Sequence, residues 1–125
     1  MCDVITVSSL GKTWILDLDG TIVKHNGYKI DGRDTLLDGA KEFLGQITDQ
    51  DMVIFVTSRT EEYRALTEGF LGENSIRYDH IIFGAPYGER ILVNDNKPSG
   101  LKTALVLNTK RDQICQVELE IDENL

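Results

Sequence analysis

The sequence predicts an α/β domain with a mainly parallel sheet, and three observations support this class. Short apolar runs alternate along the chain with segments of helical periodicity, a pattern that implies crossover connections between parallel strands. The run MVIFVTSR at 52–59 is apolar and β-branched up to Thr57, as in a strand buried on both faces. A length of 125 residues with 41% hydrophobic and 27% charged content describes one globular domain with its own core.

The first half of the chain predicts three strands and a helix. Residues 3–8 form an extra strand ahead of the core, and the apolar run 14–16 forms the next strand, which ends at Asp17. Between 38 and 48 the apolar side chains fall on one helical face, and Asp38 can cap that helix. The strand that ends at Thr57 follows it.

The second half begins with a helix that runs from about Thr60 to residue 74. Three more apolar runs predict strands: HIIF at 80–83, RILVND at 90–95 and TALVL at 103–107. The segment CQVELEI at 115–121 alternates apolar and polar residues, as a half-buried strand does. We expect this tail to cover a sheet edge, beside residues 3–8.

The composition excludes several classes of function. A formal net charge of -8 argues against a basic face that binds nucleic acid. No apolar run approaches the ~20 residues that span a membrane, and the N-terminus does not resemble a signal peptide. Cys2 and Cys115 are more typical of reduced thiols than of a disulfide or a zinc site. We therefore expect a cytoplasmic protein that binds neither nucleic acid nor membranes.

Two carboxylates, Asp17 and Asp19, follow the strand at 14–16, and their repulsion requires a positive group between them. That group is a metal ion, a basic side chain or a protonated partner. Thr57 and Asp95 also end apolar runs, and the carboxyl ends of parallel strands meet at one edge, where open α/β proteins bind ligands. All-oxygen ligation suits Mg²⁺. We therefore expect Mg²⁺ at this edge, held with the help of Asp95.

Three motifs resemble those of the haloacid dehalogenase-like phosphatase superfamily. DLDGT at 17–21 matches its opening motif, VIFVTSR at 53–59 its second, and ILVNDNKPSG at 91–100 its acidic fourth motif, with a single Asp. The resemblance covers roughly residues 12–110 and extends to small cap-less members found near sugar-phosphate and capsule-polysaccharide enzymes. It implies a single Rossmann-like, three-layer domain without a cap. Residues 111–125 lie beyond the resemblance, and from their own pattern we expect an edge strand or an extension there.

The resemblance also implies a role for each matched residue. Asp17 is the nucleophile that forms an aspartyl-phosphate, while Asp19 protonates the leaving oxygen and then activates water. Thr57 hydrogen-bonds the transferring phosphoryl group. The Asp17 carboxylate, the Asp19 carbonyl and Asp95 hold Mg²⁺. The implied activity is hydrolysis of a small phosphomonoester such as a sugar phosphate, a reaction that depends on positioning and charge neutralisation.

Four further residues of these motifs are candidates for binding substrate: Gly20, Thr21, Ser58 and Arg59. Gly20 lets the backbone turn away, and the Thr21 hydroxyl can tie that turn. Arg59 could instead pair with a carboxylate. Thr57 could likewise satisfy the backbone of its own turn rather than bind a phosphoryl group.

The third motif departs from the family pattern, because many relatives have Gly-Lys-Pro where this chain has Gly-Ala-Pro at 84–86. Lys97 is our first candidate for the missing cation, ahead of Arg59 and Arg90. Lys97 could equally be a surface lysine, and Asp95 could be an ordinary residue of a turn-rich segment.

Two alternatives to an enzyme remain. A binding or regulatory module without turnover fits Ala85 and Asn94, whereas a phospho-acceptor signalling domain would place its acidic pair and its accepting Asp on different strands. The chain between Thr21 and Asp38 is too short for a folded cap. The expected site is therefore open, and a second subunit could roof it.

Overall fold

A computed structural model describes residues 3–114 and 117–125 of the chain. Its elements, in chain order, are β1 (Asp3–Val7), β2 (Thr13–Leu16), α1 (Gly27–Ile30), α2 (Ala40–Leu44), β3 (Met52–Val56), the 3₁₀ turn Glu61–Tyr63, α3 (Arg64–Glu73), β4 (His80–Ile82) and β5 (Val117–Ile121).

The strands form two small parallel sheets. One sheet has the order β2-β3-β4, and the other pairs β1 with β5. Every strand pair within the described ranges is parallel. The predicted α/β class is therefore confirmed, and only the short helix α1 and its loops occupy the chain between Thr21 and Asp38.

Both sheets contribute to one hydrophobic core. Val53 and Phe55 of β3 pack in the same cluster as Val117 of β5. Leu18, inside the DLDGT turn, and Ile22, directly after it, are also buried in that cluster. Burial of apolar surface contributes about 25 cal/mol per Å² to the free energy of folding. These side chains therefore hold the DLDGT turn, here called the acidic loop, against the body of the domain.

The pairing of the tail with the first strand is confirmed. β5 lies parallel to β1, with Val117 opposite Asp3 and Ile121 opposite Val7. The first two residues of the predicted tail strand, at 115 and 116, lie outside the described residues, as does Cys2.

The predicted helices form, with different starting points. The segment after Thr60 begins as a 3₁₀ turn and continues as α3 to Glu73. The helix expected over 38–48 is shorter, and Asp38 does not cap it: α2 begins after Gly39, whose φ of 87° is left-handed. A glycine adopts this conformation without steric cost, so the chain turns into the helix one residue later than predicted.

The strands predicted at 90–95 and 103–107 are wrong. Residues 84–110 contain neither helix nor strand, and most of their large apolar side chains are exposed. Apolar runs predict burial only where another element covers them, and no helix or strand in the described part of the chain covers these. Two prolines and the left-handed Gly84 and Gly100 also interrupt the segment. The exposed apolar residues are Tyr87, Ile91, Leu92, Val93, Leu105, Val106 and Leu107.

None of the helices within residues 3–114 and 117–125 has the length and apolar character needed to cross a membrane.

Candidate functional site

The site lies at the carboxyl edge of the three-stranded sheet. Leu16 of β2 is in register with Phe55 of β3, so Asp17 and Thr57 follow the ends of neighbouring parallel strands. The expectation that these two residues share one edge is confirmed. This edge is where open parallel sheets bind ligands.

The DLDGT motif forms a tight turn after β2. Gly20 has a φ of 81°, and its N–H donates to the Val23 carbonyl at 2.7 Å. The Thr21 hydroxyl donates to Oδ2 of Asp17 at 3.1 Å. The predicted roles of Gly20 in the turn and of the Thr21 hydroxyl as its tie are therefore confirmed, and that hydroxyl also orients Asp17.

Asp17 is paired with an arginine from a distant segment. Nη1 of Arg90 donates to Oδ1 of Asp17 at 3.0 Å, and the two side chains are 41% and 40% exposed. Asp17 therefore stays accessible to a small molecule at the sheet edge. The cation that reaches it is Arg90, which the sequence ranks behind Lys97.

Asp19 is paired with a different arginine, Arg59, and the pair is far less exposed. Nε of Arg59 donates to Oδ2 of Asp19, and Nη2 donates to Oδ1, both at 3.0 Å. Only 17% of the Asp19 side chain and 1% of the Arg59 side chain are exposed. Bidentate arginine–carboxylate pairs of this kind fix the orientation of both groups.

The remaining donors of Arg59 point to two other buried side chains. Nη1 donates to Oδ2 of Asp34 at 3.0 Å and to the Thr67 hydroxyl at 2.9 Å, and Nη2 donates to Oδ1 of Asp34 at 2.6 Å. All five N–H groups of the guanidinium are thus used within the protein. The expectation that Arg59 binds substrate needs correction, because it retains no donor for a ligand.

An aromatic ring covers the face of this guanidinium. The Arg59 carbon Cζ lies 3.9 Å from the centroid of Tyr28, whose ring meets Tyr63 edge-on at 4.8 Å. Burial raises the pKa of Tyr28, which stays a neutral phenol. Burial alone would lower the pKa of Arg59, but its hydrogen bonds to Asp34 and Asp19 outweigh burial and raise that pKa, so Arg59 stays charged.

Thr57 and Ser58 both serve the turn after β3. The Thr57 hydroxyl accepts the backbone N–H of Arg59 at 3.1 Å, and the threonine side chain is buried. The Ser58 hydroxyl donates to the Pro86 carbonyl at 3.4 Å. The Thr57 hydroxyl thus accepts a backbone N–H of its own turn, which is one of the two roles that the sequence leaves open. A role for its hydroxyl toward a phosphoryl group stays a prediction.

Asp95 and Lys97 are not brought to this edge by a strand. Both are exposed in the irregular segment, where the Asp95 carbonyl accepts the Thr103 hydroxyl and the Lys97 N–H donates to Leu101. Across 3–114 and 117–125, no three His, Cys, Asp or Glu side chains gather as they would around a metal ion. The expected Mg²⁺ ligand set is therefore incomplete in this arrangement, and two arginines relieve the acidic pair instead.

Sequence reasoning missed several residues of the site. Asp34, Thr67 and Tyr28 reach Arg59 from separate elements, and no motif or spacing marks them. The chain after the core also reaches the site: the Asp112 N–H donates to the Gly20 carbonyl at 2.8 Å, and its carboxylate accepts the backbone N–H of residue 25 at 2.7 Å.

No protein-family model and no curated protein matches this chain. Among solved structures, the chain is similar to part of a chain in one described as "Structure of Pnkp1/Rnl/Hen1 complex". The identity is 30% and the TM-score 0.52, over 68% of this chain and 32% of that chain. A second, "Structure of the Pnkp1/Rnl/Hen1 RNA repair complex", gives 29% identity and a TM-score of 0.52, over 69% and 30%. This chain thus spans about a third of the length of the chains it matches.

Proposed function

We propose that this protein is a phosphomonoester hydrolase of the haloacid dehalogenase-like type that works through an aspartyl-phosphate on Asp17. The observation that carries the proposal is the setting of Asp17, an accessible carboxylate at the carboxyl edge of a parallel sheet. Thr21 and Arg90 each hold one of its oxygens. A carboxylate oriented in this way is suited to attack phosphorus and so to divide the hydrolysis into two easier steps.

Arg90 is the proposed phosphate-binding cation. A phosphate dianion and the Asp17 carboxylate repel each other, so a positive group must contact both. The Arg90 guanidinium already contacts Asp17 at 3.0 Å, and its planar array of donors matches phosphate oxygens. We therefore assign to Arg90 the role that the sequence alone favoured for Lys97.

The proposed reaction has two displacements. An Asp17 oxygen forms a bond to phosphorus while the bond from phosphorus to the leaving oxygen breaks, and Asp19 gives that oxygen a proton. Asp19 then takes a proton from water, whose oxygen attacks the phosphoryl group and returns Asp17 as a free carboxylate. Most of the catalysis of phosphoryl transfer comes from positioning the reacting groups and neutralising their charge.

Mg²⁺ stays the proposed cofactor because the acidic edge resembles sites that bind it through oxygen ligands. When bound, it would neutralise charge on the phosphoryl oxygens. Asp17 and the Asp19 carbonyl would hold it at this edge, with Asp95 as the further ligand. Since Asp95 is not assembled with the other two, no step of the reaction is assigned to the metal.

The proposed substrate is a small phosphorylated metabolite, with sugar phosphates favoured by the motif resemblance. One of the similar solved structures is described as an RNA repair complex, so a phosphomonoester at an RNA end is a second substrate to test. The net charge of -8 disfavours contact with a long stretch of nucleic acid, because the phosphate backbone is also negative. The open edge would also admit large phosphate esters, and a second subunit could cover it. We further propose that the protein is cytoplasmic.

The test is hydrolysis of an aryl phosphate, a panel of sugar phosphates and a terminally phosphorylated oligoribonucleotide, each with Mg²⁺ and with a chelator. We expect turnover that needs Mg²⁺ and is abolished in Asp17→Asn. Asp31→Asn, an exposed carboxylate paired with Lys24, is the matched control and should keep full activity. Activity that survives in Asp17→Asn would contradict the proposed nucleophile.

A binding module without turnover is the second candidate. It is favoured by the ion pairs that already occupy both acidic side chains and by the incomplete metal ligand set. This candidate predicts that Mg²⁺ and the phosphate mimic BeF₃⁻ bind together while no substrate of the panel is hydrolysed.

A further inference from the structure

The buried group formed by Asp34, Arg59, Asp19 and Thr67, here called the arginine cluster, needs an explanation beyond stability. Two of its members, Arg59 and Asp34, have side chains only 1% exposed. Burying charges carries a desolvation cost that their attraction often fails to exceed, so well-packed apolar residues frequently stabilise a fold as well or better. A contribution to folding stability therefore explains the cluster poorly. The positioning of one of its side chains explains it better.

The geometry of the cluster leaves Arg59 one function, which is to hold Asp19. Asp34 takes two of its donors, Thr67 takes one, and Tyr28 covers its face. The two donors that remain form a fork on the Asp19 carboxylate. Each carboxylate oxygen has a further lone-pair site, so Asp19 can still exchange a proton on its exposed side.

We propose that Asp34 is a positioning residue for the proton transfer to the leaving group, acting through Arg59 on Asp19. This inference rests on the proposed function, since it concerns the first step of that reaction. Asp34 fixes the plane of the guanidinium, and the guanidinium fixes the carboxylate of Asp19 toward the leaving oxygen. Without Asp34, Arg59 loses two of its five hydrogen bonds, including the one at 2.6 Å, and the fork on Asp19 loosens.

The role is tested by comparing two kinds of leaving group. In the first step the bond from Asp17 to phosphorus forms, the bond to the leaving oxygen breaks, and that oxygen receives a proton. A nitrophenolate is stable without this proton, whereas an alkoxide from a sugar or glycerol phosphate is not. The value of kcat/KM covers substrate binding and the transfer to Asp17 with loss of the leaving group, so the comparison excludes the later attack of water.

The experiment measures kcat/KM for nitrophenyl phosphate and for an alkyl phosphate. Both substrates are tested with the wild type, with Asp34→Asn and with Asp31→Asn. We expect Asp34→Asn to lose ~10-fold or more on the alkyl phosphate and less than ~3-fold on the aryl phosphate, part of the ~10²–10⁴-fold contribution of general acid catalysis. Asp31→Asn should match the wild type on both. Asp19→Asn should display the same selectivity as Asp34→Asn, in a stronger form.

The ratio of the two kcat/KM values does not depend on how much of a variant is folded, so partial unfolding does not obscure the result. If Asp34→Asn yields no folded protein, Thr67→Val removes one hydrogen bond from Arg59, keeps both ion pairs, and should change the ratio in the same direction. An unchanged ratio in a folded variant would overturn the positioning role and leave the phosphatase proposal standing. A wild type without turnover would overturn both.

Discussion

Two carboxylates one residue apart, Asp17 and Asp19, are tolerated here because each has its own arginine. Arg90 pairs with the first and Arg59 with the second. The sequence singles out both arginines, yet it ranks Lys97 above them. Arg59 lies 40 residues from its partner along the chain and Arg90 lies 73 residues from its own, so only the folded backbone assigns them.

The assignment of Arg90 as the phosphate-binding cation predicts a contrast between two variants. Arg90→Gln should lower kcat/KM for an aryl phosphate by ~10–100-fold, because a charge-assisted contact to the transferring group is lost. Lys97→Gln, from the same exposed segment, should stay within ~3-fold of the wild type. Steady-state kinetics on both variants makes the comparison, and the opposite ranking would restore Lys97 as the cation.

Among the secondary-structure elements, Asp51 links the start of β3 to the start of β2. Its Oδ1 accepts the Lys12 N–H at 2.9 Å, and its Oδ2 accepts the indole N–H of Trp14 at 2.9 Å and the Thr48 N–H at 3.1 Å. Burial alone would raise the pKa of Asp51, but these hydrogen bonds outweigh it and lower the pKa. The carboxylate therefore stabilises the fold in its charged form.

We predict that Asp51→Asn lowers the free energy of unfolding at pH 7 by ~1–3 kcal/mol, since buried N–H donors lose their acceptor. Because the folded pKa lies below the unfolded one, the contribution is complete above about pH 4 and disappears as the pH falls through the folded pKa. Urea unfolding at pH 7 and in acid measures the difference. Asp49→Asn, an exposed neighbour, is the control, and an equal loss in both variants would contradict the prediction.

The irregular segment 84–110 predicts a pattern of proteolysis. Its backbone lacks helix and strand bonding and is exposed, so trypsin should cut first at Arg90, Lys102 and Lys110 within it. The bond after Lys97 resists trypsin because Pro98 follows it. Lys41 in α2 and Arg64 in α3 should be cut later. Mass spectrometry over a time course gives the order of cleavage. First cuts in the helices would indicate that this segment packs as the strands that the apolar runs predict.

For the molecule as a whole, the sequence predicts the fold class and the order of the core elements. It does so because the apolar residues that repeat with strand or helix periodicity are also the ones buried in the core. The strand ending at Thr57 is the clearest case: its apolar run predicts burial, and β3 is covered by the hydrophobic cluster. The runs at 91–93 and 103–107 are also apolar, but no element of the described residues covers them, and no local pattern contains that property. The acidic loop was predictable from DLDGT, whereas the arginine cluster depends on pairings distant in sequence.

The central claim is that Asp17 carries the phosphoryl group, and trapping that intermediate tests it most directly. The protein is mixed with the phosphomonoester, quenched in acid and reduced with borohydride, which converts an aspartyl-phosphate into homoserine. Peptide mass spectrometry then locates the product. We predict homoserine at position 17 and none in Asp17→Asn. Turnover with homoserine at another position, or with none at all, would contradict the account.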